Sequence, residues 1–236
     1  MISLENISFS YGGAGLFNDF NIGFERQKIT CLLGSSGCGK TTILRLIAGL
    51  EVPEKGKVII DEQLVSADGE VIVQPHLRKI GYIFQDLALW PHMTVCENVA
   101  FGPKEQGVKQ YDSLVLEMLE FLGIADQAKK YPHQLSGGQQ QLVAIARALV
   151  LKPSILLMDE PLSNLDVKLK RKILDLIARL RIDFNLTIIY VTHDHKEAFT
   201  IADKIAVMSH GKVEAYGSAE QIKASQNEYV RYFIEY

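Results

Sequence analysis

The stretch Gly34-Ser35-Ser36-Gly37-Cys38-Gly39-Lys40-Thr41 matches G-x-x-x-x-G-K-[ST], a spacing suited to holding the phosphates of a nucleotide. Gly34, Gly37 and Gly39 let the backbone turn tightly and aim its N–H groups inward, and the following helix start completes an anion hole. Lys40 is then set to reach the β- and γ-phosphates, and the Thr41 hydroxyl to ligate Mg²⁺. The rival reading, a flexible Gly/Ser turn, is disfavoured because an apolar run precedes the stretch and a helical pattern follows it. Asp159 and Glu160 stand where a second apolar run, SILLM, emerges. Asp159 suits a Mg²⁺-holding carboxylate, and Glu160, pointing the other way, suits orienting or deprotonating a water, although two acids can also simply cap a sheet. Gln85 and His193 also follow apolar runs, which makes them candidates for the same edge. Taken singly, each is more readily a structural residue. His193-Asp194-His195 lacks the spacing of a helical metal site. From His133, HQLSGGQQQL supplies a second glycine-rich helix start, for which one phosphate group has no need.

These residues require strands to carry them. KITCLL, KIGYIF, SILLMD and LTIIYVT read as strands, each delivering a candidate residue at its end. TTILRLIAGL, VKLKRKILDLIARLRI and HKEAFTIA alternate with them at helical spacing, which predicts a largely parallel sheet covered on both sides. Before the loop, ISLENISFS and FNDFNIGFE predict paired strands turning at Gly12-Gly13, and KVIIDEQLVSADGEVIVQP predicts one hairpin turning at Asp68-Gly69. Between about 86 and 151 the strand signal disappears, and DSLVLEMLEFLGI and GGQQQLVAIARALV predict a helical subdomain inserted in one domain spanning 1–236. The fold class is α/β, with an antiparallel N-terminal part. The basic cluster Lys168, Lys170, Arg171 and Lys172 reads as a solvated helix face.

Composition narrows the class. In 236 residues, 47% hydrophobic and 22% charged describe a chain with a sizeable core. A net charge of −3 argues against a nucleic-acid partner. Cys31, Cys38 and Cys96 show neither metal-ligand nor disulfide spacing and read as free thiols. Cys38, inside the loop, is expected to be shielded by bound nucleotide. The first residues lack a basic, apolar leader pattern, and the apolar run from Leu142 is too short to span a bilayer.

Together these residues resemble the ATP-binding cassette (ABC) transporter ATPases, over essentially the whole chain and in the family's order. The resemblance implies that ATP and Mg²⁺ are bound by Gly34, Ser35, Ser36, Gly37, Cys38, Gly39, Lys40, Thr41 and Thr42, with Tyr11 stacking on adenine. Gln85 corresponds to the Q-loop, shared with Thr41 and Asp159 as a Mg²⁺ contact; Glu160 is the catalytic glutamate and His193 the switch histidine. Leu135, Ser136, Gly137, Gly138 and Gln139 are the signature, which in the family faces the ATP held by a second copy. Ser163, Asn164, Leu165 and Asp166 correspond to the D-loop at that dimer interface. The second glycine motif then exists for the partner's ATP.

Within the family, FQDLALWPHMTVCENVAFG looks most like importer ATPases for ferric iron, sugars, sulfate and polyamines. That likeness implies separate permease subunits docking near 85–101, where Leu87, Leu89, Trp90 and Met93 form either an apolar dock or ordinary core. It further implies a solute-binding protein and a peripheral location on the cytoplasmic face of the cell membrane. The sequence stops soon after SAEQIKASQNEYVRYFIEY, so the C-terminal regulatory domain of many such importers is expected to be missing. Leu142 stands where a basic residue is common and His195 where glutamine is common. A small-molecule P-loop kinase leaves LSGGQ without a purpose, whereas export remains open as a direction.

Overall fold

Ile29–Gly34 is buried at every position and lies in the middle of a six-stranded sheet. A strand with neighbours on both sides and cover on both faces has no polar face to show, hence its nearly continuous apolar run, broken only by the buried Thr30. The computed structural model describes residues 1–163 and 165–235. Its strands are β1 (Ile2–Tyr11), β2 (Ala14–Phe24), β3 (Ile29–Gly34), β4 (Lys55–Ile60), β5 (Gln63–Ala67), β6 (Glu70–Val71), β7 (Ile80–Ile83), β8 (Ile155–Asp159), β9 (Thr187–Thr192), β10 (Lys204–Ser209) and β11 (Lys212–Gly217). Its helices are α1 (Lys40–Ala48), α2 (Val95–Glu105), α3 (Tyr111–Phe121), α4 (Gly137–Leu149), α5 (Val167–Asp183), α6 (His195–Ile201), α7 (Ala219–Lys223) and α8 (Glu228–Glu235).

The larger sheet runs β11-β10-β3-β9-β8-β7, parallel throughout except for the antiparallel edge strand β11. Strand period sends neighbouring side chains to opposite faces. Cys31, Leu33, Leu156, Met158, Ile188 and Tyr190 therefore join the core shared with α2–α6. Leu32, Leu157, Ile189 and Val191 join the core under α1 and the smaller sheet. That second sheet, β2-β1-β4-β5-β6, is antiparallel and brings the end of β1 toward α1.

The α/β class with an antiparallel N-terminal part is as expected, and the details differ in three places. The expected hairpin is a three-stranded meander, because Asp61 and Glu62 turn the chain first, with φ of 49° and 70°. Neither is glycine, and Asp61 alone is a weaker turn signal than Asp68-Gly69. α2 went unread because Gly102 and Pro103 interrupt its helical pattern, yet Pro103 is accommodated inside it. Two short helices, α7 and α8, follow the sheet. Among the described residues, no helix is long and apolar enough to cross a membrane.

Candidate active site

The carboxyl ends of β3, β7, β8 and β9 deliver the candidate residues to one edge, the place where ligands bind in open parallel sheets. There, Tyr11, Ser36, Gly37, Gly39, Lys40, Thr41, Thr42, Gln85, Glu160 and His193 border a cleft of about 560 Å³. Leu16, at the start of β2, also borders it; its apolar type carried no signal of a site.

The glycine loop is held by its surroundings. Gly39 has φ 107°, and a Cβ there would come 2.6 Å from the Phe17 ring, so a side chain at this position meets both backbone strain and a clash. Lys40 is buried and its Nζ donates to the carbonyls of Gly34, at 2.8 Å, and Ser35, at 2.9 Å. These are weak carbonyl partners for an ammonium, and the charge has no ion-pair partner among the described residues. Cys38 is 3% exposed, with Sγ against the loop, so its thiol is shielded without nucleotide. That corrects the expectation of shielding by the ligand. Tyr11 is half-exposed, its ring edge-on to Phe9 at 4.8 Å and its hydroxyl 3.5 Å from Thr42 Oγ1.

Opposite the loop, the Thr41 hydroxyl donates to Asp159 Oδ1 at 2.9 Å. Burial pushes the Asp159 carboxyl up, and the Thr41 hydrogen bond only partly counters it. A buried carboxylate, a hydroxyl and the nearby Gln85 amide form a set of hard oxygen donors, the chemistry Mg²⁺ prefers. Glu160 follows with φ 43°, in the left-handed region that disfavours side-chain-bearing residues. Its N–H donates to the Val191 carbonyl at 3.0 Å, which locks the turn. The side chain thereby brings Oε2 to 3.0 Å from His193 Nδ1, pairing two residues that arrive from different strands.

None of the described residues bordering the cleft belongs to Leu135–Gln139. Ser136 caps α4 in a reciprocal box: its Oγ accepts from the Gln139 N–H at 3.4 Å, and Gln139 Oε1 accepts from the Ser136 N–H at 2.9 Å. Gly138 packs closely against α5, since a Cβ there would lie 2.6 Å from a Leu169 methyl and push that side chain aside. A smaller void of about 120 Å³ brings Gln85, Gly137, Gln141, Ser163 and Leu165 together, and Gln85 borders both cavities. Asp166 caps α5 by accepting from the Leu169 N–H at 3.0 Å, and Asn164 lies outside the described residues. Leu87 and Leu89 pack partly against the core. Trp90 lies 4.3 Å from the Phe101 ring and beneath the Arg147 guanidinium. Lys170 departs from the solvated face expected of it: it turns inward to Glu197, at 2.7 Å, while Lys168, Arg171 and Lys172 are exposed.

A family model described as ABC transporter matches residues 17–163. The chain is 43% identical over 237 residues to the spermidine/putrescine import ATP-binding protein PotA of Vibrio cholerae, covering 99% of this chain and 62% of that protein. It is 41% identical over 240 residues to the sulfate/thiosulfate import ATP-binding protein CysA of Neisseria meningitidis, covering 99% and 66%. It thus spans a little under two thirds of the length of these curated relatives. Among solved structures, the dimeric bacterial ABC transporter cassette MJ0796 superposes with a TM-score of 0.80 at 32% identity, over 92% of this chain and 98% of that one. The same cassette, solved as a dimer in a post-hydrolysis state with ADP and Pi, matches with a TM-score of 0.80 at 31% identity. A phosphate loop, an acid pair and a histidine on one sheet edge, a separate helix capped by Ser136 and opened by two glycines, and these likenesses agree: the chain belongs to the ABC transporter family.

Proposed function

We propose that this chain is the ATP-hydrolysing subunit of an importer, working as one ATPase domain over 1–236 with its helical part near 86–151. The observation that carries this reading is Glu160 beside His193 on the rim of the cleft that Lys40 and Thr41 line. Lys40 and the loop N–H groups bind the phosphates of ATP, and Tyr11 stacks on the base. Thr41, Asp159 and Gln85 would hold Mg²⁺, which supplies charge neutralisation on the phosphates when bound. Glu160 orients a water toward the γ-phosphorus and accepts its proton, while His193 donates to a γ-oxygen. The remaining donors come from Ser136 of the partner subunit and the glycines beside it, with Ser163–Asp166 at the same interface. Two copies thereby form two equivalent sites, as an isologous dimer requires. The dimeric cassettes that this chain resembles support that arrangement.

Permease subunits dock on the face around 85–101. Support comes from the relatives' import names, from half-exposed Phe101 next to Trp90, and from an adjoining groove of about 780 Å³ that Tyr82, Glu105, Arg147 and Leu151 border. A solute-binding protein and a place on the cytoplasmic membrane face complete the proposal. Nothing in the ATPase site touches the solute.

The test is Glu160→Gln, which keeps shape and removes basicity. Hydrolysis is expected to fall by about 10²–10⁴-fold while ATP still binds. Dimer then accumulates with ATP and not with ADP, because ATP binds only the closed state tightly. Light scattering reads the outcome. A variant that stays monomeric in saturating ATP at high protein concentration overturns the shared site.

A further inference from the structure

Beneath the His193–Glu160 pair lies a buried charge that the mechanism above does not use. Glu197, in α6, is 5% exposed. Tyr190 and Thr192, both from β9, donate their hydroxyls to Oε2 at 2.8 and 2.9 Å. Lys170, from α5, donates to Oε1 at 2.7 Å. Both carboxylate oxygens are therefore engaged, by donors from a helix and from the strand that follows it.

The same network brackets His193. On one side, the Thr192 hydroxyl that donates to Glu197 also accepts the Asp194 N–H at 3.0 Å. On the other, Asp194 caps α6 by accepting from the Lys196 and Glu197 N–H groups, and its Oδ2 lies 3.6 Å from Lys170 Nζ. His193 itself keeps a largely exposed ring. Its backbone is fixed and its side chain is left to act. Lys170 also sits one turn into α5, where its N–H donates to the Asp166 carbonyl at 2.9 Å. The last residue of Ser163–Asp166 is thus joined through the first backbone bond of α5 to the residue whose ammonium holds Glu197.

We propose that Glu197 is a positioning residue: with Lys170 it fixes the backbone on both sides of His193 and ties it to Ser163–Asp166, so that closure of the dimer is registered at the His193–Glu160 pair. This rests on the ATPase reading above. Packing alone does not call for the arrangement, since apolar side chains of similar volume commonly replace a buried ion pair without loss of stability. Burial opposes the Lys170 charge, and Glu197 and Asp194 outweigh it, raising the amine above its ordinary range. Burial, and then the Glu197 charge, push the Tyr190 hydroxyl up in turn, so both donors keep their protons at neutral pH.

The experiment compares Glu197→Gln, the neutral pair Lys170→Gln/Glu197→Gln, and Thr192→Val in the full chain. Each is measured for kcat, for KM, for ATP affinity and for denaturation midpoint. A displaced reacting group costs up to about 10²-fold. We expect kcat to fall about 10- to 100-fold in the neutral pair, with ATP affinity within about two-fold of wild type. Thr192→Val, which removes one hydroxyl and no charge, is expected to follow in the same direction and carries the test if the charge variants do not fold. A folded neutral pair or Thr192→Val with wild-type kcat overturns the proposal. So does a loss of kcat that only tracks a loss of affinity or of folded protein. If the unaltered chain shows no ATP hydrolysis at all, it is the ATPase reading that has failed, and the two failures are told apart.

Discussion

Asp159 carries a cost that its partners in the chain do not remove. It is buried, receives one hydrogen bond from Thr41, and stands next to Glu160, so burial followed by a like charge disfavours its ionised form. Sites of this kind trade stability for function. Asp159→Asn keeps an oxygen for the Thr41 hydroxyl and drops the charge. It is expected to raise the nucleotide-free melting temperature by about 2–4 °C, roughly 1 kcal/mol for a chain of this size. It should also abolish the extra stabilisation that Mg²⁺ adds to ATP. Scanning calorimetry with ATP in EDTA and with MgATP reads both effects; a variant that keeps the Mg²⁺ increment removes Asp159 from the metal set. Much of this scale was legible in advance. Lys40 and Thr41 belong to a spaced glycine motif, while Asp159, Glu160 and His193 are polar residues at the ends of apolar runs, and both signals are visible in sequence. Leu16 and Glu197 were not, because one looks like core and the other like surface until the tertiary fold sets their neighbours.

The phosphate loop owes its placement to the helix behind it, and α1 is held at its far end by one side chain. Arg78 is buried and donates to five acceptors: the carbonyls of Val73, Leu46, Ile47 and Val65, and the Ser66 hydroxyl. Two of these lie in the last turn of α1, where a cation complements the helix dipole, and two belong to β5. The guanidinium thus joins the nucleotide-binding helix to the antiparallel sheet that carries Tyr11. Burial lowers its pKa to about 10, which leaves it charged at neutral pH. Arg78→Met strands these acceptors and is expected to cost about 2–4 kcal/mol. Arg78→Lys should lose part of that, because an ammonium cannot fork across five acceptors. Urea denaturation measures it as a lower midpoint at unchanged slope, and a loss under about 0.5 kcal/mol for Arg78→Met would show that water replaces the guanidinium. At this scale the sequence was legible where periodicity was strong. KITCLL and LTIIYVT became β3 and β9, whereas the Asp61–Glu62 turn lacks glycine and α2, although Thr94 and Glu97 form a capping box, has its periodicity interrupted by Gly102 and Pro103.

On the scale of the whole molecule, the two glycine motifs stand apart. One chain places Lys40 in its cleft and Ser136 outside it, so geometry within a single copy cannot reveal what the signature helix meets. Only the order of motifs pointed to a second copy. Mixing variants tests this directly. Lys40→Ala removes the phosphate-facing cation, and Ser136→Arg fills the partner's phosphate pocket with bulk, so each alone should give an inactive dimer. In a heterodimer of the two, one site combines Lys40 from the Ser136→Arg chain with Ser136 from the Lys40→Ala chain and is intact, while the other site lacks both. Equal mixing makes about half of the dimers mixed, each with one of two sites restored, so hydrolysis should return to about a quarter of wild type if the sites work independently. A chain carrying both changes should rescue neither single variant. The rate should also rise with the square of subunit concentration where dimerisation is limiting. If the mixture stays as inactive as its components under conditions where wild type dimerises and turns over, each ATP is hydrolysed without the other chain's Ser136, and the shared site is wrong.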